Sequence, residues 1–196
     1  MTARAQRMPD PGSTAMSLWR TGEAMVVRAQ ARLAQRLIAL AWHRSLATGA
    51  AVKPWPWAKM FPVARLEAPR QGAALMVLAG AGDRVLAFGP GHIEGTPLPG
   101  DPGNAVVSGR RNGHFSFLRE LRSGDTLVVH SASRRVVNYI VSGIEVVRNK
   151  DVRVLLDAGD DRLTLVTCYP FDNTLPDGPL RYVVVATRRD SVVSRI

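Results

Sequence analysis

The chain has 196 residues, 46% hydrophobic and 21% charged, a balance that fits a globular domain with a short extension and excludes wholesale disorder. Lys+Arg is 26 against 16 Asp+Glu, a net charge of +10 that admits nucleic acid, an anionic membrane surface or an acidic partner without choosing among them. The one cysteine, Cys168, excludes an intramolecular disulfide and a zinc site built from Cys pairs; no run reaches the roughly 18 to 20 apolar residues of a membrane span or the pattern of a signal peptide, so the polypeptide reads as soluble.

Residues 1–50 carry seven arginines against Asp10 and Glu23. Residues 1–21, with Pro9, Pro11, Gly12, Ser13 and Thr14, read as a disordered leader, and residues 22–52 as a helix and linker. The helix spans 22–47 and is rich in Ala, Leu, Arg and Gln. Arg28, Arg32 and Arg36 share one face; Leu33, Leu37 and Leu40 share another. Such a helix packs on the domain with its arginines in water, or lies on a membrane surface. Thr48-Gly49-Ala50 ends it, and Pro54 and Pro56 forbid its continuation. Trp55 and Trp57 are expected to anchor this linker on an apolar surface.

Residues 53–196 read as a β-barrel domain. Short apolar runs at 74–78, 85–88, 105–108, 126–130, 136–144, 163–167 and 182–187 alternate with Gly/Pro/Asp turns, the pattern of a mainly β barrel or sandwich. Gly80-Ala81-Gly82-Asp83 predicts a hairpin turn between the first two runs. His114–Leu121 is the helical segment inside the body, with Phe115, Leu118 and Leu121 on one side.

Cys168 ends the strand pattern Leu163-Thr164-Leu165-Val166-Thr167, and Tyr169-Pro170-Phe171-Asp172-Asn173 turns the chain away. A thiol at the exit of a core strand is held rigidly and stays reachable, which suits a nucleophile. The alternative is a small buried hydrophobe.

Thr164-Leu165-Val166-Thr167-Cys168 resembles the TLxTC signature of sortases, the cysteine transpeptidases that anchor surface proteins in bacterial envelopes. Pro179-Leu180-Arg181-Tyr182-Val183-Val184-Val185-Ala186 is similar to the strand bearing that family's essential arginine. The segments 103–109 and 117–125 follow the family's order and spacing. Pro54-Trp55-Pro56-Trp57 and residues 86–92 resemble its Gram-negative, proteobacterial branch. The resemblance covers roughly residues 53–189.

It implies a closed barrel of about eight strands with an N-terminal amphipathic helix and short connecting helices. It implies a substrate too: a secreted or surface protein with a C-terminal sorting signal of the Leu-Pro-x-Thr type. Cys168 would attack the carbonyl after Thr and form a thioester, and an envelope amine would resolve it. No metal or organic cofactor is needed. The place of action would be the cell envelope, on the periplasmic side of the inner membrane, with membrane association through the N-terminal region.

Arg181 would donate to the developing oxyanion. Thr167, beside the nucleophile, would help bind or orient the substrate. The family's histidine is replaced. Sortases carry it after the Gly of this strand, and here the run is Gly109-Arg110-Arg111-Asn112-Gly113-His114. Arginine cannot exchange protons near neutral pH, so Arg110 would impair the acid/base step. His114 is the nearest substitute, within reach of that place only if residues 110–114 fold into one turn.

Three functions therefore stand side by side: an impaired sortase, a sortase-like pseudoenzyme that binds signals or partner proteins without turnover, and a basic barrel that binds nucleic acid. The third lacks the aromatic-basic strand of an RNA-binding module, so no nucleic-acid partner is expected. Cys168 is expected at the rim of an apolar groove, with Arg181 facing into it.

Overall fold

A computed structural model describes residues 11–151, 159–172 and 178–189, with side chains from residue 30 onward. The strands β1 (Pro62–Ala68), β2 (Ala73–Ala79), β3 (Gly91–His92), β4 (Asn104–Ser108), β5 (Thr126–Ser131), β6 (Val136–Arg148), β7 (Arg162–Tyr169) and β8 (Leu180–Arg188) close into a barrel in the order β1-β2-β3-β4-β7-β8-β6-β5. β2–β3 and β4–β7 pair in parallel, and the remaining neighbours are antiparallel. Of the barrel and sandwich that the apolar runs allow, the structure is the barrel, closed as the resemblance implies.

Helix α1 spans Pro11–Thr48. Of the leader expected over residues 1–21, residues 1–10 lie outside those described, and the helix begins at Pro11 rather than at residue 22. Compact units divide at residue 36, so α1 from Leu37 onward belongs with the barrel. There the packed side is not the expected leucine face. Ile38, Ala41, Trp42 and Ser45 are buried, whereas Leu40 is 52% exposed. These buried positions follow the i, i+3, i+4, i+7 rule as well as the leucines do. Ile38 meets Met60 and Leu78, with Trp55, Val85 and Phe88 around them. Trp55 stacks edge-on to Phe88 at 5.4 Å and holds the linker. Trp57, expected to do the same, is 81% exposed.

The run at 85–88 is not a strand. Gly82 opens a single helical turn, α2 (Asp83–Leu86), with its carbonyl accepting from the amides of Val85 and Leu86. Val85 and Phe88, three apart, pack together on the Ile38 cluster, which is helical spacing rather than alternation. No hairpin forms, because the next strand, β3, runs parallel to β2. β1 escapes the sequence pattern because it opens on Pro62, holds two low-propensity alanines, and places Arg65 and Glu67 outward, where they pair at 2.9 Å. β3, at two residues, is too short to show a period.

Phe115, Leu118 and Leu121 plug the barrel among Leu66, Leu127, Tyr139, Leu163 and Leu165. Their segment is a 3-10 helix, Ser116–Glu120. A spacing of three matches its three residues per turn and keeps all three side chains on one side.

β3 approaches the β2 exit so closely that a Cβ on Gly91 would stand 2.1 Å from the Gly80 carbonyl oxygen. The obstacle is backbone and cannot rotate away. Gly91→Ala is expected to cost about 1–3 kcal/mol or more, read as a lower denaturant midpoint with an unchanged m-value.

Candidate active site

The ends of β4, β7 and β8 bring the sequence-selected residues together by register. In the antiparallel β7–β8 pair Cys168 stands directly opposite Arg181, so their side chains leave the same side of the sheet. In the parallel β4–β7 pair Ser108 lies beside Val166. The next residue, Gly109, donates its amide to the Val166 carbonyl at 3.1 Å. The chain therefore enters Arg110 alongside Thr167 and Cys168.

Gly109 is required at this junction, because a Cβ there would lie 2.5 Å from the Phe115 ring. The Arg110 carbonyl accepts from the amides of Gly113 and Phe115, so residues 110–115 form a compact turn. Thr167 is buried, and its hydroxyl donates to the Gly109 carbonyl at 2.7 Å. That hydroxyl thus ties the exit of β4 to β7.

Cys168, half-buried, lines a cleft of about 470 Å³ with Arg181, Arg110, Arg111, Asn112, Asp83 and Leu86. Beside the apolar surface expected of the groove, the turn at 110–112 and α2 present charged groups to it, so its lining is mixed. Arg181 donates to the Gly178 carbonyl at 2.7 Å and the Leu180 carbonyl at 3.0 Å. Arg110 donates to the Asp83 carbonyl at 3.4 Å.

Beyond the thiol, β7 leaves through a cis Tyr169–Pro170 peptide. Tyr169 and Tyr182 stack at 6.1 Å, Phe171 meets Tyr182 edge-on at 5.1 Å, and Arg119 covers Phe171. Asn173, expected in the same turn, lies outside the described residues.

His114 lines a different cleft, with Gln71, Leu75, Phe117 and Glu120. Burial, and then the Arg110 cation, hold its pKa below the ordinary 6.5. An NMR titration should therefore give a midpoint under 6.5, and Arg110→Gln should raise that midpoint part of the way back, because burial is the larger cause. An unmoved midpoint would separate the two side chains. His92 is buried, its Nε2 within 3.1 Å of the Thr96 and Pro97 carbonyls and the Thr96 hydroxyl. His130 approaches Glu67 at 3.4 Å. Neither lines the Cys168 cleft.

Sequence reasoning missed Arg111 and Asp83. Arg111 is 5% exposed yet lines the cleft, and one arginine beside another in an arginine-rich chain gives no signal of that. Asp83 was hidden by the hairpin expectation. Among the described residues no group of His, Cys, Asp and Glu could hold a metal ion, and no helix is long and apolar enough to cross a membrane.

Comparison with known proteins agrees with this geometry. The Sortase domain family matches residues 66–189, a stretch that includes Cys168, Arg181 and the barrel strands except the start of β1. Sortase D of Bacillus subtilis is 31% identical over 129 residues, covering 63% of this chain; the chain spans 62% of that relative's length. The crystal structure of sortase C-1 from Actinomyces oris superposes with a TM-score of 0.58 at 31% identity, over 65% of this chain and 74% of that one. Sortase C-1 from Streptococcus pneumoniae gives a TM-score of 0.60 at 31% identity, over 67% and 68%. With a family match across most of the barrel, and with the same barrel in solved relatives, the chain belongs to the sortase family.

Proposed function

We propose that this protein is a cysteine transpeptidase of the envelope that captures a C-terminal Leu-Pro-x-Thr-type sorting signal as a thioester on Cys168 and passes it to an amine. The observation that carries the proposal is the direct pairing of Cys168 with Arg181 across β7 and β8 in a cleft they share with Arg110.

In acylation the Cys168 sulfur adds to the carbonyl after Thr, and the C–N bond breaks as the leaving amine takes a proton. In deacylation an incoming amine adds to the thioester, loses a proton, and releases the thiol. Arg181 donates to the oxyanion of both tetrahedral intermediates. Thr167 holds the Gly109 carbonyl, and so keeps Arg110 beside the thiol. Arg110 supplies a fixed cation and no proton, so turnover of amides is impaired. Residues 53–196 form the catalytic domain, and the N-terminal region before Leu37 associates with the membrane. The segments 54–57 and 86–92 support the Gram-negative branch and action on the periplasmic side, although the relatives named above come from Gram-positive bacteria.

The test is incubation with a panel of Leu-Pro-type peptides, as amides and as esters, followed by mass spectrometry of the intact protein. An adduct equal to the acyl part, absent in Cys168→Ala, is the expected result. No adduct with any peptide would refute the transpeptidase reading. Arg110 favours a second function, a pseudoenzyme, which would bind the same peptides and form no adduct.

A further inference from the structure

Among the described residues, six arginines of the barrel pair with carboxylates. Arg65 meets Glu67, Arg70 meets Asp125, Arg119 meets Asp172, Arg135 meets Asp101, Arg162 meets Asp160 and Arg188 meets Asp161. Arg110 and Arg181, like Arg134, have no such partner. Among the described residues each donates only to backbone carbonyls, and no carboxylate lies within ion-pair distance of either. Asp83 lines the same cleft, yet it offers Arg110 its carbonyl rather than its carboxylate.

Among the described lining residues, the guanidiniums of Arg110 and Arg181 thus share the cleft with one carboxylate, that of Asp83. A neutral carbonyl satisfies a donor and leaves the charge uncompensated. A concave wall focuses that positive potential on whatever enters. Guanidinium forks match a carboxylate in shape and charge. A cationic segment would meet repulsion at the same place.

We infer that the segment accepted here carries an acidic side chain next to the residue whose carbonyl is attacked. In a Leu-Pro-x-Thr-type signal the variable position is the one open to it, so x is Asp or Glu. The inference rests on the proposed function, in which Cys168 accepts the acyl group of such a signal.

The experiment separates the two. Full-length protein carrying Cys168→Ala, which binds without reacting, is titrated into three fluorescent peptides identical except for Glu, Gln or Lys at x. Anisotropy should give the tightest binding for Glu, weaker than Glu by roughly tenfold for Gln, as befits a hydrogen bond to a charged group, and the weakest for Lys. The Glu-to-Gln ratio should shrink as salt is raised. It should fall toward one when Arg110→Gln is added and fall less far with Arg110→Lys, which keeps the charge but not the planar fork. Equal affinities for Glu and Gln would overturn the inference and leave the proposed function standing. A ratio untouched by Arg110→Gln would also overturn it. Failure of all three peptides to bind would overturn both.

Discussion

Arg110→His is expected to raise cleavage of an amide sorting signal by about 10²- to 10⁴-fold, the usual contribution of a positioned general acid. Position 110 follows Gly109, whose amide and carbonyl are both tied to β7, so its side chain starts from a fixed point beside Cys168. With arginine there, the thiol can still add to a carbonyl. The tetrahedral intermediate then stalls, because an amine leaves only with a proton and a guanidinium gives none near neutral pH. An ester leaving group needs that proton far less. The protein as it stands should therefore cleave an ester analogue measurably and the matching amide barely, and Arg110→His should close the gap. Arg110→Ala should not. His114→Ala is the control, since His114 lines another cleft; if His114→Ala removes amide cleavage that Arg110→Ala leaves intact, the acid is His114 and this account of Arg110 is wrong.

Arg181→Lys should lower thioester formation by about 10²- to 10³-fold, the cost of losing one oxyanion donor. Arg181 spends donors on the carbonyls of Gly178 and Leu180, which fix the direction of its guanidinium plane. A lysine ammonium is a point charge on a flexible stem and cannot hold those carbonyls and reach the oxyanion together. The loss should fall on the acylation rate and leave the melting temperature nearly unchanged, because the residue is half-buried at the barrel rim. A rate within a few-fold of the parent's would remove Arg181 from the reaction.

The barrel was legible where strands obey their own period. Leu163, Leu165 and Val184 sit in regular apolar runs, and those runs became β7 and β8. The pattern failed where tertiary packing outweighed local preference. Val85 and Phe88 are β-prone side chains held in and beside a helical turn by the Ile38 cluster. Leu40 resembles a core residue and faces water, because Ile38, not Leu40, takes the place against Met60 and Leu78. At the site, Cys168 and Arg181 could be picked out because motif and strand position coincide. Asp83 could not, since its carbonyl meets Arg110 across segments 27 residues apart, and Arg111 carries no signal of its own beside Arg110.

The hydrogen bond between Thr167 and Gly109 joins residues 58 apart, across a crossover that holds β5 and β6. A parallel pair closed over so long a loop must meet its entropy cost before any contact rewards it. Antiparallel neighbours such as β5–β6 are short-range and need no such closure. The part of the thiol's surroundings that β4 supplies is therefore expected to assemble late, when the β4–β7 seam zips. Cys168 is in this sense a built-in clock: the rate at which it acquires its native reactivity toward a thiol reagent during refolding reports seam closure, separately from the secondary structure that forms ahead of it.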